Sequence, residues 1–322
     1  MKPPYDISSQ ILKLVTSISE KIGEVNSANL QRPPTELRKR NRIKTIYSSL
    51  VIEGNTLTED QITAIFENKR VVGPKKDIIE VKNAIAVYEM LDKFKPTSLD
   101  SYCKAHSILM KDLIEFPGKL RNQSVGIMKG EELTHLAPPK EMVKFLMTNL
   151  FNYLKNDKDI LLVKSCVFHY ESEFIHPFID GNGRMGRLWQ TIILAHKYPV
   201  FEYLPLEMLI RKRQDEYYRS LSKSDKEGKS TAFIEFMLGV IEDSLEDLLK
   251  SQNVYVGQKD RLKLAQDLFR VDSFTRQEYL RFFKNISTAT ASRDLKFGVV
   301  DGYLDKVGDK RLTKYKFKKK NS

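Results

Sequence analysis

The chain has 322 residues, 41% of them hydrophobic and 30% charged, a length that suggests two domains with ample surface to bury. No apolar run approaches the ~18 residues that a membrane-spanning helix needs, which excludes an integral membrane protein. The first ten residues carry prolines and an aspartate where a signal peptide has its apolar core, which indicates the cytoplasm. The two cysteines lack the spacing of a disulfide framework or a zinc site.

The net charge of +12 is concentrated at one end of the chain. Residues 255–322 hold 17 lysines and arginines against 8 aspartates and glutamates, so most of the positive excess lies there. A basic segment of this kind indicates either a polyanionic partner or a solvated face.

Residues 7–250 predict a series of helices, because apolar residues recur there at three- and four-residue spacing. Thr58 and Gln61 form a capping box at the start of one of them. One stretch breaks the pattern: two short runs, at residues 125–128 and 133–136, flank a polar Lys129-Gly130-Glu131 turn, which predicts a short β-hairpin.

The pattern changes near residues 252–258, where the sequence is polar and contains glycine. Beyond it we predict a helix at 261–269, a helix opened by Thr275 and Glu278, and a third helix at 288–297 that stops at Gly298. Two strand-like runs follow, at 303–307 and 312–317. Three helices and a hairpin predict a winged helix-turn-helix. We therefore divide the chain into an N-terminal helical region at 1–100, a central domain at 101–251 and a winged-helix domain at 258–322.

The most informative segment is His-Pro-Phe-Ile-Asp-Gly-Asn-Gly-Arg-Met-Gly-Arg at residues 176–187, a tight turn between two predicted helices. Its glycines let backbone N–H groups converge at a helix N-terminus, where they favour phosphate. Arg184 and Arg187 add forked donors from one helical face. Asp180 offers a hard oxygen suited to Mg²⁺, and His176 can accept a proton near neutral pH.

This string resembles the signature of the Fic (Fic/Doc) family, HPFx[DE]GNGRxxR, with every specified position present. The resemblance implies a mainly α fold: a Fic-type helical bundle with a short β-hairpin flap, here followed by the small winged helix-turn-helix domain. It also implies an enzyme that binds ATP and Mg²⁺ and transfers AMP to a Ser, Thr or Tyr hydroxyl of a target protein, with automodification expected. The hairpin at residues 125–136 would be the flap that aligns the target.

The resemblance assigns a role to each residue of the motif. His176 would be the general base, and Asp180 would hold Mg²⁺ between the α- and β-phosphates. Asn182, with the backbone around Gly181 and Gly183, would bind the α- and β-phosphates. Arg184 would bind the β-phosphate, and Arg187 would bind the γ-phosphate.

A second motif lies upstream, where Ser49-Leu50-Val51-Ile52-Glu53-Gly54 resembles the inhibitory motif [ST]xxxE[GN] of class II Fic proteins. A carboxylate at Glu53 would pair with Arg187, occupy the guanidinium meant for the γ-phosphate and repel that phosphate. The alternative is a solvated glutamate beside a helix-ending glycine. Some animal relatives use this glutamate to remove AMP, so a reverse reaction stays open.

Other functions also stay open. A Doc-like kinase binds ATP in reverse, but that branch carries a lysine where this chain has Gly183. Donors such as CDP-choline or UTP share the same loop. A non-enzymatic regulator would use the Fic body as a nucleotide sensor and bind DNA.

The C-terminal region has two competing interpretations, DNA binding and protein docking or homodimerisation with a solvated basic tail. In the DNA version, one set of side chains would face a groove and a second set would approach phosphates. The side chains that would face the groove are Thr290, Ser292, Arg293 and Lys296. The side chains that would approach the phosphates are Lys310, Arg311, Lys314 and Lys316.

Overall fold

The computed structural model describes residues 2–27, 35–129, 132–255, 258–269, 272–283, 286–309 and 313–318. The chain divides into two compact units, Met1–Glu246 and Asp247–Ser322. Within the described ranges, no helix combines the length and apolar character required to cross a bilayer. The predicted mainly α class with a short hairpin is confirmed.

The first unit opens with five helices separated by short connections. Their bounds follow the predicted apolar stripes, and the Thr58 capping box is present with both of its reciprocal hydrogen bonds. The helices are α1 (Ser9–Ser27), α2 (Thr35–Ile52), α3 (Glu59–Phe66), α4 (Lys75–Tyr88) and α5 (Leu99–Leu109), with a 3-10 turn at Leu91–Lys93.

The predicted hairpin follows as β1 (Gly126–Lys129) and β2 (Glu132–Leu136), antiparallel with a register shift between Ile127 and Met128. Its turn residues, Gly130 and Glu131, lie outside the described residues. The helices after it are α6 (Lys140–Asn156), α7 (Leu161–Ile175), α8 (Asn182–Lys197), α9 (Leu206–Lys212), α10 (Gln214–Glu227) and α11 (Thr231–Tyr255), with a 3-10 turn at Pro199–Glu202.

Two central helices, α7 and α8, are buried along most of their length and pack against each other. An aromatic cluster supports them: Tyr102 of α5 makes an edge contact with Trp189 of α8 at 5.0 Å and with Phe168 of α7 at 5.9 Å between ring centroids. Such edge contacts between buried rings fix relative orientation as well as burying area. The turn that joins α7 to α8 is therefore held between two buried, tightly packed helices.

The C-terminal unit contains α12 (Gln258–Phe269), α13 (Arg276–Phe282), α14 (Thr288–Val300), β3 (Leu304–Val307) and β4 (Lys314–Phe317), in the predicted order. The predicted stop of the third helix at Gly298 is wrong, because α14 continues to Val300. A Cβ at Gly298 would lie 2.7 Å from Leu304 Cδ1, so this glycine permits close packing of β3 on α14 instead of ending the helix. The winged-helix assignment stays a prediction.

The C-terminal unit contains an ion pair whose carboxylate is buried. Asp294 is 1% exposed and accepts two hydrogen bonds from Arg261, at 2.5 Å from Nε and 2.8 Å from Nη2. The Tyr279 hydroxyl donates a third at 3.2 Å. Removing one partner of such a pair strands a buried charge.

We expect Asp294→Ala to lower the free energy of unfolding by about 3–5 kcal/mol, because Arg261 and Tyr279 would both lose the buried carboxylate that they bind. Urea denaturation followed by circular dichroism measures the change. Asp305→Ala is the matched control: Asp305 is exposed and pairs with Lys318 at 3.5 Å, so its loss should cost about 0–1 kcal/mol. Equal decreases in the free energy of unfolding of the two variants would show that the buried carboxylate of Asp294 contributes no more than an exposed one.

Candidate active site

The site is built around the turn between α7 and α8. α7 ends at Ile175 because His176 adopts the left-handed conformation, with φ 51° and ψ 61°. Gly181, with φ 83°, precedes the first residue of α8, so this helix begins two residues before the predicted start near Arg184. The first-turn N–H groups of α8 have no acceptor inside the helix and carry its positive dipole end. The turn therefore has the geometry of an anion site.

Side chains brace the turn from within. Asn182 accepts a hydrogen bond from Phe178 N and donates one to Phe178 O, both at 2.9 Å. Both ends of its amide are thus committed to the loop, and a phosphate would meet its backbone N–H. Phe178 is fully buried and stacks on His106, with 3.6 Å between ring centroids and 7° between planes. Phe178 is thus an apolar anchor.

His106 is a bracing residue that the sequence analysis missed. Its Nδ1 accepts from Gly118 N at 2.8 Å, which places the proton on Nε2, and Nε2 donates to the Asp180 carbonyl at 2.9 Å. Burial lowers the pKa of His106 to about 4, so the ring stays neutral. No spacing relates it to the turn 70 residues away, and only tertiary structure could have revealed it.

Arg184 is buried between two carboxylates. Its Nη1 lies 3.2 Å from Glu80 Oε1, and its Nη2 lies 3.4 Å from Asp180 Oδ1. Glu80 is itself buried and accepts from Asn55 Nδ2 at 2.8 Å. Glu80 was missed because it lies on the ordinary amphipathic helix α4, far from the motif. Glu80 and Asp180 together hold the guanidinium of Arg184 at the edge of the turn.

Arg187 meets the end of α2. Its Nη2 lies 2.7 Å from Glu53 Oε1 and 3.1 Å from the Ser49 carbonyl, and its Nε donates to Ser49 Oγ at 3.1 Å. The Arg187 side chain is 1% exposed and that of Glu53 is 26% exposed. The structure thus brings together the two motifs that the sequence places 134 positions apart.

Gly183 completes this contact. A Cβ at position 183 would lie 2.5 Å from Glu53 Oε1 and 3.2 Å from Arg187 Nη1. A larger residue at position 183 would therefore displace the Glu53 carboxylate from its place beside the turn.

Glu173 is a further buried acid near Arg187. Its Oε1 is buried without a hydrogen-bond partner among the described residues, and it lies 4.0 Å from His169 Nε2. Burial raises the pKa of Glu173 to about 7; Arg187 opposes this shift and Glu53 adds to it. The carboxyl of Glu173 therefore reports on the charge balance around Arg187.

We expect the pKa of Glu173 to fall in Glu53→Gly, because the repulsion from Glu53 disappears while the attraction of Arg187 remains. Carbon-13 NMR of labelled glutamate carboxyls measures it, with Glu173→Gln assigning the resonance. A midpoint that stays near 7 would show that the two carboxyls do not sense each other.

The same shift predicts the sign of a pH dependence. Folded Glu173 keeps its proton up to about pH 7, whereas an unfolded glutamate loses it near ~4.3. The folded state binds more protons between these values, so the free energy of unfolding should decline as the pH rises through them. Glu173→Gln should make this decline less steep, and Glu20→Gln, at an exposed position of α1, should not. The half-buried Glu171 and the buried Glu207, whose pKa values burial also raises to about 7, account for the decline that is left.

Comparison with known proteins agrees with this geometry. A family model described as the Fic/DOC family matches residues 96–194. The crystal structure of a Fic family protein from Desulfovibrio desulfuricans G20 is 38% identical, covers all of both chains and gives a TM-score of 0.77. Fic-1 (aa134–508) from C. elegans is 22% identical, covers 76% of each chain with a TM-score of 0.59, and supports the fold alone.

Curated relatives carry the name protein adenylyltransferase Fic. The one from Nematostella vectensis is 29% identical over 274 residues, which are 80% of this chain and 62% of that protein. The one from Drosophila mojavensis is 28% identical over 236 residues, 70% of this chain and 44% of that protein. This chain thus spans about two-fifths to three-fifths of the length of these relatives. The signature turn, the helical bundle with its hairpin and the full-length likeness to the Desulfovibrio protein together show that the chain belongs to the Fic family.

Proposed function

We propose that the chain is a protein adenylyltransferase that transfers AMP from ATP to a Ser, Thr or Tyr hydroxyl of a target protein and is held inactive by Glu53. The observation that carries the proposal is the Glu53–Arg187 contact at 2.7 Å beside a complete phosphate-binding turn. The name of the curated relatives supports the same reaction.

In this proposal His176 takes the proton from the target hydroxyl. The hydroxyl oxygen bonds to the α-phosphorus, the bond from that phosphorus to the bridging oxygen breaks, and pyrophosphate leaves. The transfer needs little covalent help, so positioning and neutralisation of charge supply most of the rate. The first-turn N–H groups of α8 and Arg184 would bind the α- and β-phosphates, and Arg187 would bind the γ-phosphate.

Asp180 fits the Mg²⁺ that the resemblance implies. Its side chain is 48% exposed at the edge of the turn, and its Oδ1 is oriented by Gly181 N at 2.6 Å and by Arg184. One carboxylate together with substrate phosphates is a common way for a protein to hold this ion. When bound, Mg²⁺ would neutralise phosphate charge.

The proposed inhibition follows from the position of Glu53. Its carboxylate occupies one edge of the Arg187 guanidinium and places negative charge where the γ-phosphate would arrive. ATP would then be repelled from Arg187 or held in an unproductive pose. Displacement of the end of α2 would free the guanidinium.

The alternative reactions differ in what they need at this turn. The Doc-like kinase branch has a lysine where this chain has Gly183, so the kinase alternative is disfavoured. Donors such as CDP-choline or UTP, and removal of AMP through a water oriented by Glu53, share the same turn. A homodimer and a cytoplasmic location also stay proposals.

The test uses ATP labelled at the α- or the γ-phosphate, with automodification as the first readout. Glu53→Gly should raise α-label on protein about 10- to 100-fold, because a charged hydrogen bond worth roughly 1.5–3 kcal/mol no longer blocks Arg187. Adding His176→Ala to this variant should abolish labelling while ATP still binds, as calorimetry would show. Glu67→Gly, which removes an exposed acid that pairs with Lys39 and Lys69, is the control and should not activate.

The outcomes separate the candidate functions. Label from the γ-phosphate would indicate a kinase, and label from neither position with ATP bound would indicate a nucleotide sensor. Unchanged α-labelling in Glu53→Gly would contradict inhibition by Glu53. Full labelling in the variant that lacks His176 would show that His176 is not the general base.

We further propose DNA as a partner of the C-terminal unit, against the alternative of a protein-docking module. Arg293 and Lys296 are exposed on α14, and β4 alternates exposed Lys314 and Lys316 with buried Phe317. This alternation directs a row of positive charge away from the core of the unit. Thr290 and Ser292 are half-buried, whereas Lys310 and Arg311 lie outside the described residues.

Affinity for a random-sequence duplex should fall about 100-fold between 50 and 200 mM salt, a decrease expected for roughly four phosphate contacts. Fluorescence anisotropy measures this slope. Lys314→Ala with Lys316→Ala should flatten it, whereas Lys155→Ala with Lys158→Ala, at exposed positions of the first unit, should not. Binding that ignores salt would contradict the proposal.

A further inference from the structure

Arg121 is a buried cation in the connection between α5 and β1. It is 3% exposed, and no carboxylate of the described residues forms an ion pair with it. Burial lowers the pKa of Arg121, with only the charge of Glu141 opposing the shift. A buried charge without a counter-ion is expensive unless hydrogen bonds satisfy it. Its hydrogen bonds therefore show what this residue does.

Backbone carbonyls satisfy the guanidinium of Arg121. Its Nε donates to His176 O at 2.7 Å, and its Nη1 donates to Gln123 O at 2.8 Å. Its Nη2 donates to Pro138 O at 2.5 Å and to Ile175 O at 3.2 Å. Its own backbone N–H donates to Pro177 O at 2.9 Å.

These acceptors belong to two functional segments. Ile175 and His176 form the end of α7 and the start of the signature turn. Gln123 and Pro138 flank the hairpin, one before β1 and the other after β2. A single planar group thus joins both ends of the hairpin to the backbone of the residue proposed as general base.

The contact with the turn has a physical reason. The last carbonyls of a helix lack partners inside it and carry partial negative charge, so a cation there is favourable. His176 is also a non-glycine residue in the left-handed region, a conformation that persists only where its surroundings hold it. Arg121 supplies such a hold, because it binds the carbonyl of that same residue.

We propose that Arg121 is a positioning residue that fixes the His176 backbone to the base of the hairpin, so that the imidazole and a target segment on the hairpin keep one spacing. The inference rests on the proposed function for its catalytic consequence. The planar fork of arginine reaches acceptors in different directions at once, whereas lysine offers donors from a single point. Arg121→Lys keeps the charge and should lose the geometry.

Hydrogen exchange followed by mass spectrometry tests the positioning role without any assay of activity. In both Arg121→Lys and Arg121→Gln, peptides covering residues 123–138 and 172–182 should exchange at least about tenfold faster, and together, because one group restrains both segments. A change confined to residues around position 121, or one spread evenly over the first unit, would overturn the proposal. The lysine variant carries the test if the glutamine variant does not fold.

Lys164→Met is the matched control. Lys164 is also a buried cation bound to carbonyls at the C-terminal end of a helix, with its Nζ 3.0 Å from Leu154 O in the last turn of α6 and 2.9 Å from Asp157 O just after it. Its loss should speed exchange around residues 153–164 and leave the hairpin and the signature turn unchanged. Coupled loosening of hairpin and turn in this control would show that burial alone explains the effect.

The catalytic consequence is measured in the Glu53→Gly background with α-labelled ATP. Arg121→Lys should lower AMP transfer about 10- to 100-fold, because a small misplacement of a reacting group is costly. The dissociation constant for ATP should stay within threefold, since Arg121 contacts no predicted phosphate ligand. Equal losses in binding and transfer would overturn the positioning role. Absence of transfer in the Glu53→Gly parent would instead refute the proposed function, and hydrogen exchange would still decide the role of Arg121.

Discussion

The organisation of this site depends on the pairing of a buried arginine with a carboxylate from another part of the chain. Arg187 is a buried residue of α8, and a buried charge is costly unless it is paired. Glu53 and Ser49, at the end of α2, bind its guanidinium. The same guanidinium is the group that an anionic ligand would seek. In the proposed function, the ion pair that stabilises the protein and the binding of a phosphate therefore compete for this one side chain.

Side chains whose polar atoms are engaged within the protein give the turn its shape. His106 stays neutral and spans the turn, Asn182 closes it from within, and Glu80 holds Arg184. Each of these side chains is buried and satisfied by hydrogen bonds, as a rigid polar site requires. In the proposed function, the anion site is therefore formed before any ligand arrives, which reduces the loss of conformational entropy on binding.

The sequence predicted those parts of the fold and site that depend on local pattern. Helical stripes, the Thr58 capping box and the hairpin were all predictable, because spacing along the chain determines them. The signature motif identified the turn, and the family resemblance paired Glu53 with Arg187 before the structure placed them together. Gly298 was misjudged because a glycine that ends a helix and one that admits a neighbouring side chain look the same in sequence. His106, Glu80 and Arg121 were missed because each acts through contacts across the fold, and nothing in their local sequence marks them.

The central claim is that Glu53 and the terminal phosphate of ATP compete for Arg187. Calorimetric titration of ATP and of ADP into the wild-type protein and into Glu53→Gly tests it most directly. The account predicts that the wild-type protein binds ATP no more tightly than ADP, and that Glu53→Gly gains affinity for ATP about tenfold or more while its affinity for ADP changes little. The same ratio of ATP to ADP affinity in both proteins would contradict the account.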